Sequence, residues 1–579
     1  MTKPNRGARR ERILIASSEV HPYSKTGGLA DMVAALAKTM ARRGHQVGVV
    51  TPLYRGILEK HPGIQKLDYS LRLPLGADWV EAEVYTLSPM PGLTIYFIHQ
   101  PAYYHRGSLY SDSTGDYPDN AQRFIFFSKA VVHLARYLPW QPELVHIHDW
   151  QVGLVPLLIR HQREMEGWGT PPHTLLTIHN LAYQGVFGPE AFPLTNLPTE
   201  YFRPWAAEFH GYVNCLKAAI ISSDTLTTVS PRYAREITTP EYGCGLDAIL
   251  RHRQADLRGI LNGVDYDEWQ TERNPHLPAP YSQRNPEGKA RCKSVLQEQL
   301  GLPVRADVPV FGSVTRLADQ KGVDIQLGAL EEMLAADIQF VLLGSGSPDL
   351  ERAYGELARR FPTKVAARIG YDHGLSHRIE AGADFFLMPS RFEPCGLNQM
   401  YSLRYATIPI VRVTGGLDDS VIDIAEDRTS ADGIKFQEYS SRALAKAIRK
   451  AVALYQSPHL LTLYRRHAMQ ADFSWDRTAG EYEEVYARFA PPAPPLPPTP
   501  PAVTAPPPVS TPKSRTPPKT KTVRATPRSK RAAGSTRKAQ ARSKTRTQRT
   551  VATRPASRGP TQSRTRSTQP SRKRSPRRR

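Results

Sequence analysis

The run Ser24-Lys25-Thr26-Gly27-Gly28-Leu29-Ala30-Asp31 places a lysine and two glycines just before an apolar-periodic stretch. Adjacent glycines let backbone N–H groups approach an anion closely, and a helix N-terminus adds a favourable dipole. Lys25 supplies a mobile positive charge. The chemistry this suits is phosphate binding, with a plain tight turn as the alternative. The spacing is neither GxxxxGK[ST] nor GxGxxG. Four cysteines (Cys215, Cys244, Cys292, Cys395) lie far apart without a CxxC pair, which fits a reducing compartment and argues against a structural zinc. Asp265-Tyr266-Asp267 and Asp418-Asp419 are not read as a metal-binding DxD, so no metal ligand is assigned.

Such residues act only where rigid elements hold them. Arg12–Ala16 reads as a strand, Leu29–Arg43 as an amphipathic helix and Gln46–Val50 as a second strand, followed by strands at Val145–Ile147 and Leu175–Ile178. The rhythm restarts at Val310–Val314 and continues through Phe340–Leu343, Phe385–Met388 and Ile408–Val411. Strands separated by helix-length segments imply parallel βαβ units. The expected fold is therefore α/β, with two doubly wound Rossmann-like domains joined near the Pro-, Asn- and Ser-rich stretch Asn274–Glu287. Such sheets bind ligands beyond their strand C-termini, so two of them facing one another make a cleft. No internal repeat of fixed period is present.

The 579 residues carry 77 Lys and Arg against 54 Asp and Glu, a formal net charge of +23. Residues 491–579 hold 24 of those cations and 19 prolines, with no acidic or aromatic residue. Residues 1–490 therefore carry 77 − 24 = 53 cations against 54 anions, a net of −1. The basicity belongs to the tail. Its stiff Pro-rich start and Lys/Arg/Ser/Thr continuation predict disorder. The charge leaves two readings of residues 513–579 open, salt-sensitive nonspecific binding of nucleic acid or another polyanion and a passive solubilising extension, and the tail lacks the aromatic platforms of sequence-specific recognition. No apolar run approaches the length that spans a bilayer, and the apolar run after the basic N-terminus is too short for a secretory signal. The expectation is a cytoplasmic protein with no membrane contact.

Seven blocks in order carry a family resemblance. Lys25-Thr26-Gly27-Gly28-Leu29 resembles the N-terminal signature of bacterial glycogen synthases and plant starch synthases. His146-Ile147-His148-Asp149-Trp150 is similar to that family's HxHDW. The next blocks are Thr177 to Gly185 and Leu261-Asn262-Gly263-Val264-Asp265. Arg316-Leu317 with Gln320-Lys321-Gly322, then Glu393-Pro394-Cys395-Gly396-Leu397, and last Thr414-Gly415-Gly416-Leu417, complete the set. The resemblance implies a GT-B glycosyltransferase that moves glucose from ADP-glucose onto an α-1,4-glucan such as glycogen, with retention and without a metal or other cofactor. Related acceptors, such as glucose-1-phosphate, are the alternative within the fold, and a polyanion-binding scaffold is the alternative outside it. The implied layout is a basic arm (1–10), an acceptor-side domain (11–265), a donor-side domain (266–475), a helix crossing back (476–490) and the tail (491–579).

The resemblance also implies roles. Loss of the nucleoside diphosphate builds negative charge that Arg316 and Lys321, on the second domain's first helix, and Lys25, from the opposite domain, would meet. Thr414, Gly415 and Gly416 would open a helix whose N–H groups join them. Glu393 would face the donor glucose, with Cys395, Gly396 and Leu397 packed close to the sugar and Cys395 not a nucleophile. His148 matches the family's active-site histidine, and Asp149 would orient its loop. Gly27 and Gly28 would approach the phosphates. Asn180 and Asn262 stand between sugar contact and turn formation. Tyr371 matches the base-stacking position, and Tyr104, Asp119 and Asn120 resemble the acceptor side. Gln151, Cys215 and Asp372-His373-Gly374 depart from the common pattern.

Overall fold

A computed structural model describes residues 10–489. The N-terminal arm lies outside them apart from Arg10, and so do Ala490 and the whole tail.

Two sheets form the frame. The first has nine strands, in the order Leu257–Gly259, Thr225–Thr228, His173–Ile178, Leu144–His148, Arg12–Ala16, Gln46–Pro52, Leu93–His99, Asp78–Met90, Gln65–Leu75. The second has six, in the order Val365–Ile369, Gln339–Gly344, Val310–Val314, Phe385–Met388, Ile408–Arg412, Ile434–Phe436, all parallel. Ile13 to Ala16 are all fully buried, as continuous apolar runs are when helices cover both faces of a parallel sheet. The expected two-sheet α/β architecture is present, with strand edges within two residues of the sequence reading.

The reading missed the long antiparallel pair Gln65–Leu75 and Asp78–Met90, joined through Gly76 at φ +64°. This ribbon closes the outer edge of the first sheet beside Leu93–His99.

In each sheet the chain's first strand is central. Arg12–Ala16 lies between Gln46–Pro52 and Leu144–His148. Val310–Val314 lies between Gln339–Gly344 and Phe385–Met388. At such switch points the following loops diverge to opposite sides and leave a crevice. The segment from Ser17 to Gly28 and the turn at Asp149 therefore share one crevice, and Arg316 to Lys321 share another with Ser390 to Leu397.

The last helix, Trp475–Tyr486, returns to the first sheet. Glu483 accepts hydrogen bonds from Arg43 at 2.8 and 2.6 Å, and the Tyr486 hydroxyl meets His146 Nδ1 at 3.0 Å. A Cβ at Gly263 would stand 2.7 Å from the Trp475 ring, so only glycine permits that crossing. Among the described residues no helix is long and apolar enough to cross a membrane.

Candidate active site

Between the sheets lies a cleft of two lobes, of about 710 Å³ and about 700 Å³. Lys25, Tyr371, Trp269 and Glu268 border the first. Arg316, Lys321, Glu393, Asp149, His179 and Asn180 border the second. Gly27, Gly28, Asn262, Leu397 and Asn398 border both, and so form the floor that joins them.

The first-domain side of this floor is held by Glu19, buried at 3% exposure. Its carboxylate accepts from Thr26 N and Thr26 Oγ1, each at 2.5 Å, and from the Tyr110 hydroxyl at 2.6 Å. Those bonds fix the turn so that helix Gly28–Arg42 begins at the floor, where its leading N–H groups have no intrahelical acceptor. Lys25 Nζ reaches back 2.8 Å to Asp31 on that helix, with its side chain 45% exposed. A screened pair of this kind is weak and exchangeable.

On the second-domain side Lys321 Nζ donates to Glu393 Oε2 at 2.5 Å, and Ser390 Oγ donates to the same oxygen at 3.0 Å. The sequence reading had kept Lys321 for phosphate and Glu393 for sugar. Here one is the other's counter-ion. Arg316 is exposed to the second lobe and, among the described residues, makes no ion pair. Neither cation lies on the second domain's first helix as expected. That helix is Gly288–Gln299, and Arg316 and Lys321 occupy the loop and the single 3₁₀ turn ahead of Val323–Met333. Gly396 takes φ +71° and lets Leu397 lead helix Asn398–Arg404 from the floor. Leu397 Cδ1 would lie 3.6 Å from a Cβ on Gly28, so the two helix starts face one another.

The histidine side differs from expectation. The His148 ring is fully buried and does not line either lobe. Its Nδ1 meets His179 Nε2 at 3.0 Å, and it is His179 that borders the cavity. Burial pushes His148 far down and His179 down to about 3, so both rings are neutral. Asp149, at φ +59°, accepts from His179 N at 2.7 Å and organises the loop, as its position suggested. Burial outweighs the N–H groups of His179 and Asn180 and raises its carboxyl to about 7. Asn180 both borders the lobe and closes a turn onto Ala182 N at 3.1 Å. Asn262 is buried, and its Oδ1 has no partner among the described residues.

Residues 12–252 match the family described as the starch synthase catalytic domain, and residues 299–467 match the glycosyl transferases group 1 family. The glycogen synthase of Anaeromyxobacter sp. (strain Fw109-5) is 49% identical over 482 residues, covering 83% of this chain and all of that protein. The chain belongs to the glycogen/starch synthase family. Glycogen synthase 1 of Geobacter sulfurreducens is 43% identical over 83% of this chain and 96% of its own. The catalytic domain of starch synthase IV from Arabidopsis thaliana, bound to ADP and acarbose, is 33% identical with a TM-score of 0.75, covering 83% of this chain and 99% of that one. The chain is a glycosyltransferase with a GT-B fold.

Within this synthase frame several expected positions do other work. Thr414, Gly415 and Gly416 border neither lobe. Gly415 N donates to both Glu236 carboxylate oxygens at 3.1 Å, and Gly416 N donates to the Glu393 carbonyl at 3.1 Å. A Cβ would stand 2.0 Å from the Glu393 carbonyl at Gly415, and 2.1 Å from the Cys395 carbonyl at Gly416. These glycines let the Glu393–Cys395 backbone pack closely instead of offering donors to a diphosphate. Cys395 is buried and its thiol is pushed up to about 12, consistent with packing and not nucleophilic attack.

On the acceptor side Tyr104 is fully buried and donates to the Arg123 carbonyl, a core position. Asp119 pairs with Arg106 at 2.8 and 2.5 Å. Asn120 borders the second lobe while donating to the Tyr110 carbonyl at 2.9 Å. Tyr371 is 77% exposed at the rim of the first lobe. Of the DxD-like carboxylates, Asp418 is held by Arg232 and Lys435, Asp267 lies 3.7 Å from Arg42, Asp419 accepts from Arg232 N, and Asp265 accepts from Asp267 N. Sequence reasoning missed Glu19, His179, Ser390 and Asn398. Of these, His179 sat inside a quoted block and Asn398 directly after one, so those two were within reach.

Proposed function

We propose that this enzyme transfers glucose from ADP-glucose to the non-reducing end of an α-1,4-glucan, with retention and with side chains instead of a bound metal or other cofactor meeting the leaving charge. The observation that carries this is the shared floor, bordered by Gly27 and Gly28 from one domain and by Leu397 and Asn398 from the other, with Lys25 to one side and Arg316 and Lys321 to the other. A diphosphate there would meet two helix N-termini and three cations. The nucleoside would extend into the first lobe beneath Tyr371. The glucose would extend into the second, beside Glu393, His179 and Asn180. The ADP in the starch synthase IV relative supports this reading.

The transfer follows from these positions. As the bond to the β-phosphate lengthens, Arg316 and Lys321 gain interaction with the developing charge, which lowers the barrier instead of tightening the ground state. Lys321 also holds Glu393, so its positive charge serves the diphosphate while the carboxylate beside it stabilises the electron-poor sugar carbon. Glu393 is tied to Lys321 and Ser390, and Asp149 to backbone N–H groups. Neither is free to serve as one of a paired nucleophile and acid. Departure and attack on one face, with the leaving phosphate taking the acceptor's proton, keeps the configuration. The expected compartment is the cytoplasm, and the basic tail is assigned nonspecific polyanion binding.

Comparing kcat/KM for ADP-glucose and UDP-glucose on a maltooligosaccharide tests the donor assignment. ADP-glucose should win by at least about tenfold. Equal or reversed preference would contradict it.

A further inference from the structure

Three imidazoles converge beside the first lobe, away from the reacting groups. His373 and His377 stand one turn apart on helix His373–Gly382, and so share a face. His276 arrives from the segment that links the two sheets. One ring nitrogen of each lies within 4.8 Å of those of the other two. The ring centroids are 4.7 Å apart for His373 and His377, 5.0 Å for His276 and His377, and 5.2 Å for His276 and His373.

His377 is the anchor. It is fully buried, with Trp269 stacked on it at a centroid distance of 4.1 Å. Its Nδ1 lies 2.9 Å from the Tyr405 hydroxyl and 3.0 Å from Asn274 Nδ2, which donates to that hydroxyl at 2.8 Å. Its Nε2 is buried with no hydrogen-bond partner among the described residues. Because the Asn274 amide nitrogen can only donate, Nδ1 accepts and Nε2–H is left an unpaired donor in the interior. An ion at Nε2 would take that proton's place, with the ring proton moved to Nδ1 and donated to the Tyr405 hydroxyl. A ring fixed through one nitrogen and unpaired at the other is how proteins prepare an imidazole to bind a metal. The Glu268 carboxylate, 3.6 Å from His373 Nε2, offers an oxygen donor at the same place.

We propose that His276, His373 and His377, with Glu268 as a fourth donor, form a binding site for a divalent transition-metal ion of the zinc class. Three imidazoles and a carboxylate match the donor preference of Zn²⁺ and not that of Mg²⁺ or Ca²⁺. A tetrahedral ion needs ligand nitrogens about 3.3 Å apart. Rotation of the partly exposed His276 and His373 toward the fixed His377 closes the present spacing. The ion would tie the segment linking the domains to the helix that follows Tyr371, whose hydroxyl lies 3.4 Å from His373 Nδ1. Glu268 and His373 border the first lobe, where the nucleoside is placed, while Arg316, Lys321 and Glu393 border the other. The site is therefore a positioning device beside the donor, and metal binding by the donor-free chain is read separately from the choice of donor.

The test is calorimetric titration of the chelator-treated full chain with ZnCl₂, alongside Co²⁺ absorption and melting temperature. The expected result is one ion per chain with Kd near or below about 10 µM, a tetrahedral Co²⁺ band and a higher melting temperature with metal. His276→Ala and His373→Ala should each weaken binding at least about tenfold and abolish the band. Both positions are partly exposed, so these variants should fold where the buried His377→Ala could fail. Their metal-free melting temperatures check this, and His373→Gln replaces any that falls. Absence of saturable one-to-one binding, or binding retained by both variants, would overturn the proposal. So would binding that is lost instead in Cys244→Ser.

Discussion

Lys321 and Glu393 form a buried-edge ion pair, with side chains 20% and 8% exposed, at the wall where charge must change hands. Lys321→Ala removes a cation from the leaving group and strands a carboxylate, and should lower kcat/KM by about 10²- to 10³-fold in a steady-state assay. Arg316→Ala, with no ion pair to break among the described residues, should lower activity while leaving the melting temperature near that of the parent. Asp149 makes a different prediction. Its carboxyl is raised from 3.8 to about 7 by burial. Below about pH 4 both folded and unfolded chains hold that proton. From there to about pH 7 only the folded chain does, so this group's contribution to stability falls as pH rises through that window. Asp149→Asn removes the dependence, and the gap between variant and parent should widen in the variant's favour by up to about 4 kcal/mol across it. Urea unfolding at a series of pH values measures this, and a constant gap would refute it. At this scale Lys25, Arg316, Lys321 and Glu393 were legible because each sat in a distinctive local motif. The Lys321–Glu393 pairing and the burial of His148 were not, because they depend on which neighbours the fold brings across the crevice.

Helices Pro231–Glu236 and Gly415–Ser420 clasp the two domains together. Arg232 binds Glu236 at 2.9 Å and Asp418 at 2.6 Å, while Glu236 caps Gly415. Ser230 Oγ adds a bond to the Pro394 carbonyl at 2.7 Å, next to Glu393. Arg232→Ala should destabilise the protein by about 2–3 kcal/mol, since it leaves two largely buried carboxylates short of a partner. Denaturant unfolding checks this. Gly263→Ala should push Trp475 out of its seat and loosen the returning helix, at about 1–3 kcal/mol. The parallel elements could be read from sequence because burial on both faces demands continuous apolar runs. The antiparallel edge ribbon escaped because one face is exposed: in Asp78–Met90 the buried Ala82 and Val84 alternate with the polar Glu81 and Glu83. The expected donor role for Gly415 and Gly416 failed for a related reason. A glycine pair before a helix marks close backbone approach, and the sequence does not say whether the visitor is a phosphate or a carbonyl.

For the whole molecule, the relative with 49% identity aligns over 482 residues, and residues 1–490 carry a net charge of only −1. The family resemblance therefore belongs to a nearly neutral enzyme, and the +23 belongs to the appended segment. Deleting residues 491–579 should leave glucan synthesis unchanged while abolishing low-salt retention on a polyanion such as heparin. A large fall in kcat would contradict the first half. Architecture and reaction class were legible because seven motif blocks in order leave little room for another family. Acceptor detail was not, because Tyr104 looked like a sugar platform and is a core residue. The most direct test of the whole account supplies the full chain with ADP-[¹⁴C]glucose and either maltoheptaose or glucose-1-phosphate, then resolves the products by length. Stepwise α-1,4 extension of maltoheptaose, with no transfer to glucose-1-phosphate, is the predicted result. Label in maltose-1-phosphate, or no extension of the glucan, would contradict it.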